Sequence, residues 1–257
     1  VSPANETINV AIDSDIELTF SEAVDTESGS IFIKKSIDDS LVENIDVTSS
    51  QVTGSGTRVI TINPTNDFES VTQYYLQIDS TAFDDPSSNS FSGINDKTSL
   101  SFTTADVISP TLSSSNPVDN ATNVAVDKNI QLTFSEAVNA ESGSIYIKKS
   151  TDDSLVESID VNSSQVTGSG TNVITINPTN DLNQFTQYYV QIDASAYNDN
   201  SGNSFPGIYD SSTLNFTTID SISPTLLSSI PSDDQSAVAI NSNIQLTFSE
   251  ALNAESG

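Results

Sequence analysis

Carboxylates are nearly all the chemistry this chain has to offer. Its 257 residues hold 35 Asp and Glu against 7 Lys and Arg, a net charge of −28, with no His, Cys, Met or Trp. Without His, the usual acid–base group and the Ser-His and Cys-His nucleophile pairs are gone. Without Cys there is no thiolate nucleophile, no disulfide framework and no Cys-ligated zinc. What remains for a metal is hard oxygen, the donor set that suits calcium. The adjacent acids Asp38-Asp39 and Asp152-Asp153 come closest to a glycosidase-like carboxylate pair. They fall where a turn is expected, between a Lys-Lys segment and Leu41 or Leu155, and turn acids face solvent. An active site also has little use for identical copies at a fixed interval, so the residues point away from an enzyme.

The charge excludes further classes. A chain this acidic lacks the basic face that nucleic acid or an anionic membrane needs. No apolar run approaches the roughly 20 residues required to span a bilayer, so no direct membrane insertion is expected in this segment.

The acids belong to a repeat. Phe20-Ser21-Glu22-Ala23-Val24 returns as Phe134-Ser135-Glu136-Ala137-Val138 and as Phe248-Ser249-Glu250-Ala251-Leu252, 114 residues apart each time. Pro3, Pro117 and Pro231 keep that offset, as do Tyr74-Tyr75 with Tyr188-Tyr189, and Phe102-Thr103-Thr104 with Phe216-Thr217-Thr218. A unit of this size is too long for a solenoid coil of about 20 to 50 residues and suits an independently folding module. The offsets divide the chain into a first unit (1–106), a second (107–220) and a partial third (221–257) carrying only its first two strands. The opening at Val1, without an initiating Met, and the stop at Gly257 predict a piece of a longer array; pairing of the tail with another chain is the alternative.

Period-two alternation dominates each unit. Ile8, Val10 and Ile12 predict a first strand, Ile16, Leu18 and Phe20 a second, Ile31 and Ile33 a third, and Ile45 with Val47 a fourth. Val52-Thr53-Gly54-Ser55-Gly56-Thr57 reads as a hairpin turn into Val59, Ile60 and Ile62. Tyr74, Leu76 and Ile78 follow, then Leu100 with Phe102. Seven short strands with turn signals between them indicate an antiparallel sandwich.

These residues resemble a known family. The second strand Ile16-Glu17-Leu18-Thr19-Phe20-Ser21-Glu22, the segment Tyr75-Leu76-Gln77-Ile78, the run Asp199-Asn200-Ser201-Gly202-Asn203-Ser204-Phe205-Pro206-Gly207 and Phe216-Thr217-Thr218 are similar to bacterial immunoglobulin-like domain repeats. The subtype occurs in S-layer proteins and large bacterial surface adhesins. The resemblance covers both complete units and the partial third. In the first unit Asp85-Pro86-Ser87-Ser88-Asn89 departs from the pattern, with Ser88 in the glycine position of the Asp-x-x-Gly-Asn turn. What the resemblance implies is an all-β fold of tandem seven-stranded antiparallel immunoglobulin-like β-sandwiches in an extended array. It also implies a structural or adhesive role at the cell surface or outside the cell, with no catalytic residue.

In such a sandwich the loop after the second strand and the loop before the last lie at one end, beside the chain entry. For the second unit that end gathers Glu136, Glu141, Asp193, Asn198, Asp199 and Asn203, with Asp106 in the arriving linker. Two like charges about 4 Å apart cost on the order of 4 kcal/mol at an effective dielectric of 20. Such a cluster needs a cation or must stay spread in water. The expectation is calcium at the junctions, held by Asp106, Glu136 and Asp199, with Glu22 and Asp85 as equivalents in the first unit and Asp220 and Glu250 in the third. Solvated acids that serve solubility account for the same residues, and no loop matches an EF-hand.

Two other residue types bear on function. Lys34-Lys35 and Lys148-Lys149 repeat and are expected on edge strands, where lysine blocks unwanted pairing; a Lys–Asn crosslink would need one of them buried. Phe32 and Tyr146, and likewise Tyr75 and Tyr189, are expected to face outward, where they could stack on sugars or on another chain. Asn120-Ala121-Thr122 and Asn215-Phe216-Thr217 match the glycosylation sequon.

The sequence thus predicts a non-catalytic stalk, spacer or fibre segment whose partners are the neighbouring repeats of its own chain. Its linkers, such as Asp106-Val107-Ile108-Ser109-Pro110, carry Pro and β-branched residues and are stiffer than a Gly-Ser tether. Other copies of the same protein are the expected partners if the segment is instead a self-assembling filament or S-layer subunit, with a carbohydrate- or protein-binding adhesin module as the third reading.

Overall fold

A computed structural model describes residues 1–252; positions 253–257 of the third copy lie outside the described residues. The first unit holds β1 (Thr7–Val10), β2 (Ile16–Thr26), β3 (Ser30–Lys35), β4 (Leu41–Asp46), β5 (Val52–Thr53), β6 (Thr57–Ile62), β7 (Gln73–Ile78), β8 (Phe83–Asp84) and β9 (Ser101–Thr104). The second holds β10 (Leu112–Asn116), β11 (Ala121–Val124), β12 (Ile130–Ala140), β13 (Ser144–Lys149), β14 (Leu155–Asp160), β15 (Val166–Thr167), β16 (Thr171–Ile176), β17 (Gln187–Ile192), β18 (Tyr197–Asn198) and β19 (Asn215–Thr218). The third contributes β20 (Leu226–Ile230) and β21 (Gln245–Phe248). There is no helix among the described residues, hence none long and apolar enough to cross a membrane.

Each full unit is a sandwich. In the first, a five-stranded sheet β1-β9-β7-β3-β4 faces a four-stranded sheet β5-β6-β2-β8; in the second, β11-β19-β17-β13-β14 faces β10-β12-β16-β15, with β18 beside β12. The alternating apolar residues meet between the sheets. Ile16, Leu18, Ile31, Ile33, Ile45, Ile60, Ile62, Leu76 and Phe102 form one core, and Ile130, Leu132, Ile145, Ile147, Ile174, Ile176, Val190 and Phe216 its copy. Each such side chain stabilises the fold by about 1.5–3 kcal/mol, before chain entropy is set against it. The turn between β5 and β6 needs its glycine: a Cβ on Gly54, at φ +96°, would sit 2.1 Å from the Val59 carbonyl oxygen.

β1 and β11 run parallel to β9 and β19, whereas the other pairings are antiparallel. The chain therefore enters and leaves each unit in the same direction, which sets the units head to tail. The seven expected strands are joined by the two-residue strands and by β10. That strand lies in what reads as linker, because Leu112–Asn116 is mostly Ser and carries no alternation. In the third copy the apolar residues Val238 and Ile240 form no strand, and β20 pairs with β21 instead.

Lys34 and Lys35 are not on an edge, because β3 lies between β7 and β4. Lys35 is ion-paired with Glu69 at 2.6 Å and Lys34 donates to Gln77 at 2.8 Å. Tyr75 and Tyr189 stand outside the core clusters, yet they are only 2% and 3% exposed. The segment before β9 folds over that face, where Gln77 reaches the Asn95 carbonyl at 2.9 Å and the Lys97 ammonium lies 5.7 Å from the Tyr75 ring centre. The Tyr75 and Tyr189 hydroxyls are spent on Asp39 and Asp153, so neither ring is a platform for sugar. Phe32 and Tyr146 are half-buried. Asn120 is exposed, whereas Asn215 is buried against Asp119, out of reach as a sequon.

Candidate metal centre

The repeated Phe-Ser-Glu-Ala segment is a bulge. Along β12 five positions separate Thr133 from Val138, against two between their partners Val173 and Thr171 on β16, and β2 repeats this between Thr19 and Val24. The surplus residues leave the ladder and bend the strand. Phe134 drops into the core against Tyr197 and Phe205. Ser135 fastens the start of β10, its hydroxyl accepting from the Thr111 amide at 3.0 Å and its own amide donating to the Thr111 carbonyl at 2.8 Å. Glu136 follows, half-buried at the entry end of the second unit.

Asp199 closes the turn after β18. Its Oδ1 accepts from the Ser201 and Asn203 amides, both at 2.8 Å, and its Oδ2 from the Asn203 side chain at 2.8 Å. Asp85 makes the same bonds with Ser87 and Asn89, so the two turns share one geometry despite Ser88. Ser88 takes φ +64° where Gly202 has +90°, and the hydrogen bonds hold it there.

Asp106 arrives from the other side. Its Oδ1 accepts from the Ser70 hydroxyl of the first unit at 3.2 Å and from the Ile108 amide at 3.0 Å, while Ser70 also accepts from the Val107 amide. The Asn203 side chain donates to the Asp106 carbonyl at 3.2 Å. The linker is thus gripped by both units.

Asp106, Glu136 and Asp199 each offer one carboxylate oxygen, and these oxygens lie within 4.8 Å of one another. That is inside the roughly 5 Å that separates oxygens on opposite sides of a single calcium ion. Burial of the site, then the charges of Asp199 and Asp106, push the Glu136 carboxyl above its ordinary range. For Asp199, burial pushes upward but the hydrogen bonds from Asn203, Ser201 and Gly202 outweigh it, so that carboxyl is lowered. One acid is therefore held charged while its neighbour resists ionisation, and a cation or a proton relieves the conflict. The donor set is oxygen only.

The remaining expected ligands form no such group among the described residues. To Glu22 with Asp85, and to Asp220 with Glu250, the described residues add no third carboxylate. One Glu250 carboxylate oxygen is buried with no hydrogen-bond partner among the described residues. Asp38-Asp39 and Asp152-Asp153 are turn acids; Asp38 and Asp152 cap the Ser40 and Ser154 amides. The grips by Ser70 and Ser135 are not readable from residue type, although Ser135 sits inside the most strongly repeated motif.

No curated protein matches the sequence. Among solved structures, extracellular domains 3–5 of Drosophila OTK share 8% identity over 88% of this chain and 66% of that one, with a TM-score of 0.26. The BSP domain of a biofilm associated protein shares 11% over 84% and 29%, at 0.22, and the S-layer protein rSbsC(31-844) 10% over 87% and 38%, at 0.29. The chain thus spans less than two thirds of the length of each of these structures. The family model for the bacterial Ig-like domain matches three times, at residues 1–104, 106–218 and 220–257, and the chain belongs to that family.

Proposed function

We propose that the chain is a non-catalytic spacer segment of a larger cell-surface or extracellular protein, and that calcium stiffens the joint between its units. The observation that carries this reading is the double grip on Asp106, by Ser70 of one unit and Asn203 of the next, at the point where three carboxylates converge. A spacer works by length and stiffness, which a copied sandwich with a short, pinned linker supplies. Asp106, Glu136 and Asp199 would hold the ion, and its two positive charges would relieve the repulsion around Glu136. An extracellular calcium module binds at about 10⁻⁴ to 10⁻³ M. A ten- to hundredfold excess of ion would then stabilise the joint by roughly 1.4 to 2.7 kcal/mol.

Calorimetric titration of the chelator-treated chain tests the ion, with small-angle scattering to follow interdomain geometry. Heat of binding at one site, lost in Asp199→Asn, together with a narrower spread of interdomain angles in calcium, is the expected result. Titration without heat and a melting curve unchanged by chelation would remove calcium from the account; scattering that shows two freely rotating units would remove the spacer.

A further inference from the structure

A row of unpaired backbone groups recurs on each full unit. β4 and β14 end their five-stranded sheets and are six residues long. Among the described residues, no hydrogen bond beyond the β3 and β13 ladders reaches the backbone of 41–45 or 155–159. The other outer strands are two to five residues long; β1, β10 and β11 have register shifts, and those of β4 and β14 are confined to their first residues, at Val42 and Val156, leaving 43–46 and 157–160 in regular register. Edges of this kind are normally blocked by Lys, Pro or an inward charge. These two contain no Lys, Pro or Gly, and each begins with an exposed apolar pair, Leu41 with Val42 and Leu155 with Val156. The glutamates do not guard them, because Glu43 is spent on Thr65 and Gln51, and Glu157 on Thr179 and Gln165.

We infer that these edges pair antiparallel with the same edge of a second copy, continuing the five-stranded sheet across the contact. The charge pattern fits this partner. Ile45 points into the core, so Asn44 and Asp46 share the outer face, and Val42, the extra residue of the register shift opposite Lys34, is exposed beside them. Centred on Asn44, the pair sets Asp46 against Val42 of the second copy, not against another acid. Lys34 of that copy lies one strand further in, since it pairs with Leu41 on β3. Two strand spacings are roughly 10 Å, a gap that Lys and Asp side chains close together; Asp46 Oδ1 already accepts from the Thr48 amide and hydroxyl, so the lysine would meet its Oδ2. Ser158, Asp160, Val156 and Lys148 repeat the arrangement. Lys34 has only the neutral Gln77 as hydrogen-bond partner, and Lys148 has no ion pair among the described residues. Lys34, Lys35, Lys97, Lys148 and Lys149, five of the seven basic residues, lie on β3, on β13 or in the loop before β9. Lys35 and Lys97 are already ion-paired with Glu69 and Asp39, which leaves Lys34 and Lys148 open to a second copy. Two such edges on one chain raise the effective strength of a weak contact.

The absence of cysteine makes the register testable in the full chain, with chelator present so that calcium plays no part. Under mild oxidation Asn44→Cys should give a disulfide-linked dimer, and Thr19→Cys, exposed on the other sheet, should not. Sedimentation velocity should show a concentration-dependent dimer of the unaltered chain. It should vanish in Val42→Lys with Val156→Lys, at an unchanged melting temperature. A chain that stays monomeric at every concentration, a dimer indifferent to the two lysines, or equal crosslinking at Thr19 would each overturn the inference.

Discussion

The Asn203 side-chain amide donates to the Asp106 backbone carbonyl at 3.2 Å and to Asp199 Oδ2 at 2.8 Å, so one group ties the linker to the loop that holds the buried carboxylate. In the first unit Asn89 makes only the second of these bonds, to Asp85. The pair is a built-in control. Asn203→Ala should cost about 2 kcal/mol and Asn89→Ala no more than about 1, since the second leaves no linker carbonyl without its donor. Hydrogen exchange separates the effects further. The Val107 and Ile108 amides should exchange faster in Asn203→Ala and be unaffected in Asn89→Ala.

Glu136 gives the joint a pH dependence of definite sign. Its carboxyl is raised above the ordinary value of 4.5, by burial and then by Asp199 and Asp106. The native state therefore holds that proton more tightly than the unfolded chain does. Its contribution to stability is full below pH 4.5 and lost as pH rises through the higher native value. Asp38, Asp46 and Asp152 act in the opposite direction. Each is lowered from 3.8, chiefly by a side-chain bond from Ser40, Thr48 or Ser154, so what they contribute disappears as pH falls below that value. Melting temperatures in chelator should thus pass through a maximum in mildly acidic buffer. Glu136→Gln should flatten the decline on the alkaline side and raise the melting temperature at pH 7. A neutral-pH loss of stability in that variant would contradict the conflict between the three acids.

Two Tyr→Phe changes in the second unit should have opposite signs. The Tyr188 hydroxyl accepts from the Asn183 amide at 2.9 Å, and Tyr74 does the same for Glu69 at 2.8 Å, pinning the corner that leads into β17 and β7. Thr218 and Thr104 fasten the same corners, donating to the carbonyls of Asn183 and Glu69 at 2.6 Å. Tyr188→Phe strands a partly buried amide and should cost about 1–3 kcal/mol. The Tyr197 hydroxyl, by contrast, is buried with no partner among the described residues, and burial pushes its ionisation far above the ordinary range. Phe83 fills the equivalent place in the first unit. Tyr197→Phe should be neutral or stabilise by up to about 2 kcal/mol in urea unfolding.

Much of this was legible in the residues because the sequence contains its own comparison. A motif that returns at a fixed offset marks a module, and alternation at Ile16, Leu18, Ile31 and Ile33 marks strands facing a core. The convergence of Asp106, Glu136 and Asp199 could be anticipated because loops at one end of a sandwich are neighbours whatever their sequence separation. Less visible were features set by backbone pairing. β3 carries two lysines, as an edge strand does, yet lies inside its sheet, and no local pattern reports which strands flank it. Tyr75 alternates outward as expected and is then covered by a loop with no periodicity of its own. β10 is held by Ser135 and by its ladder to β12, and its serines carry no apolar signature.

Ser88 is where the sequence departs from its own repeat and the backbone does not. The turns at Asp85 and Asp199 share their hydrogen bonds, yet Ser88 must take φ +64°, in the left-handed region that costs a side chain about 1 kcal/mol. Gly202, at +90° with open space where a Cβ would stand, takes it without steric cost. Ser88→Gly should therefore stabilise the first unit by up to about 1 kcal/mol, the gain reduced by the freedom glycine adds to the unfolded chain. Gly202→Ser should destabilise the second by a similar amount without moving Asp199, because space is not what forbids the side chain. Urea midpoints of the two variants read the signs. A Ser88→Gly protein less stable than the parent would mean that the serine contributes something beyond its conformation.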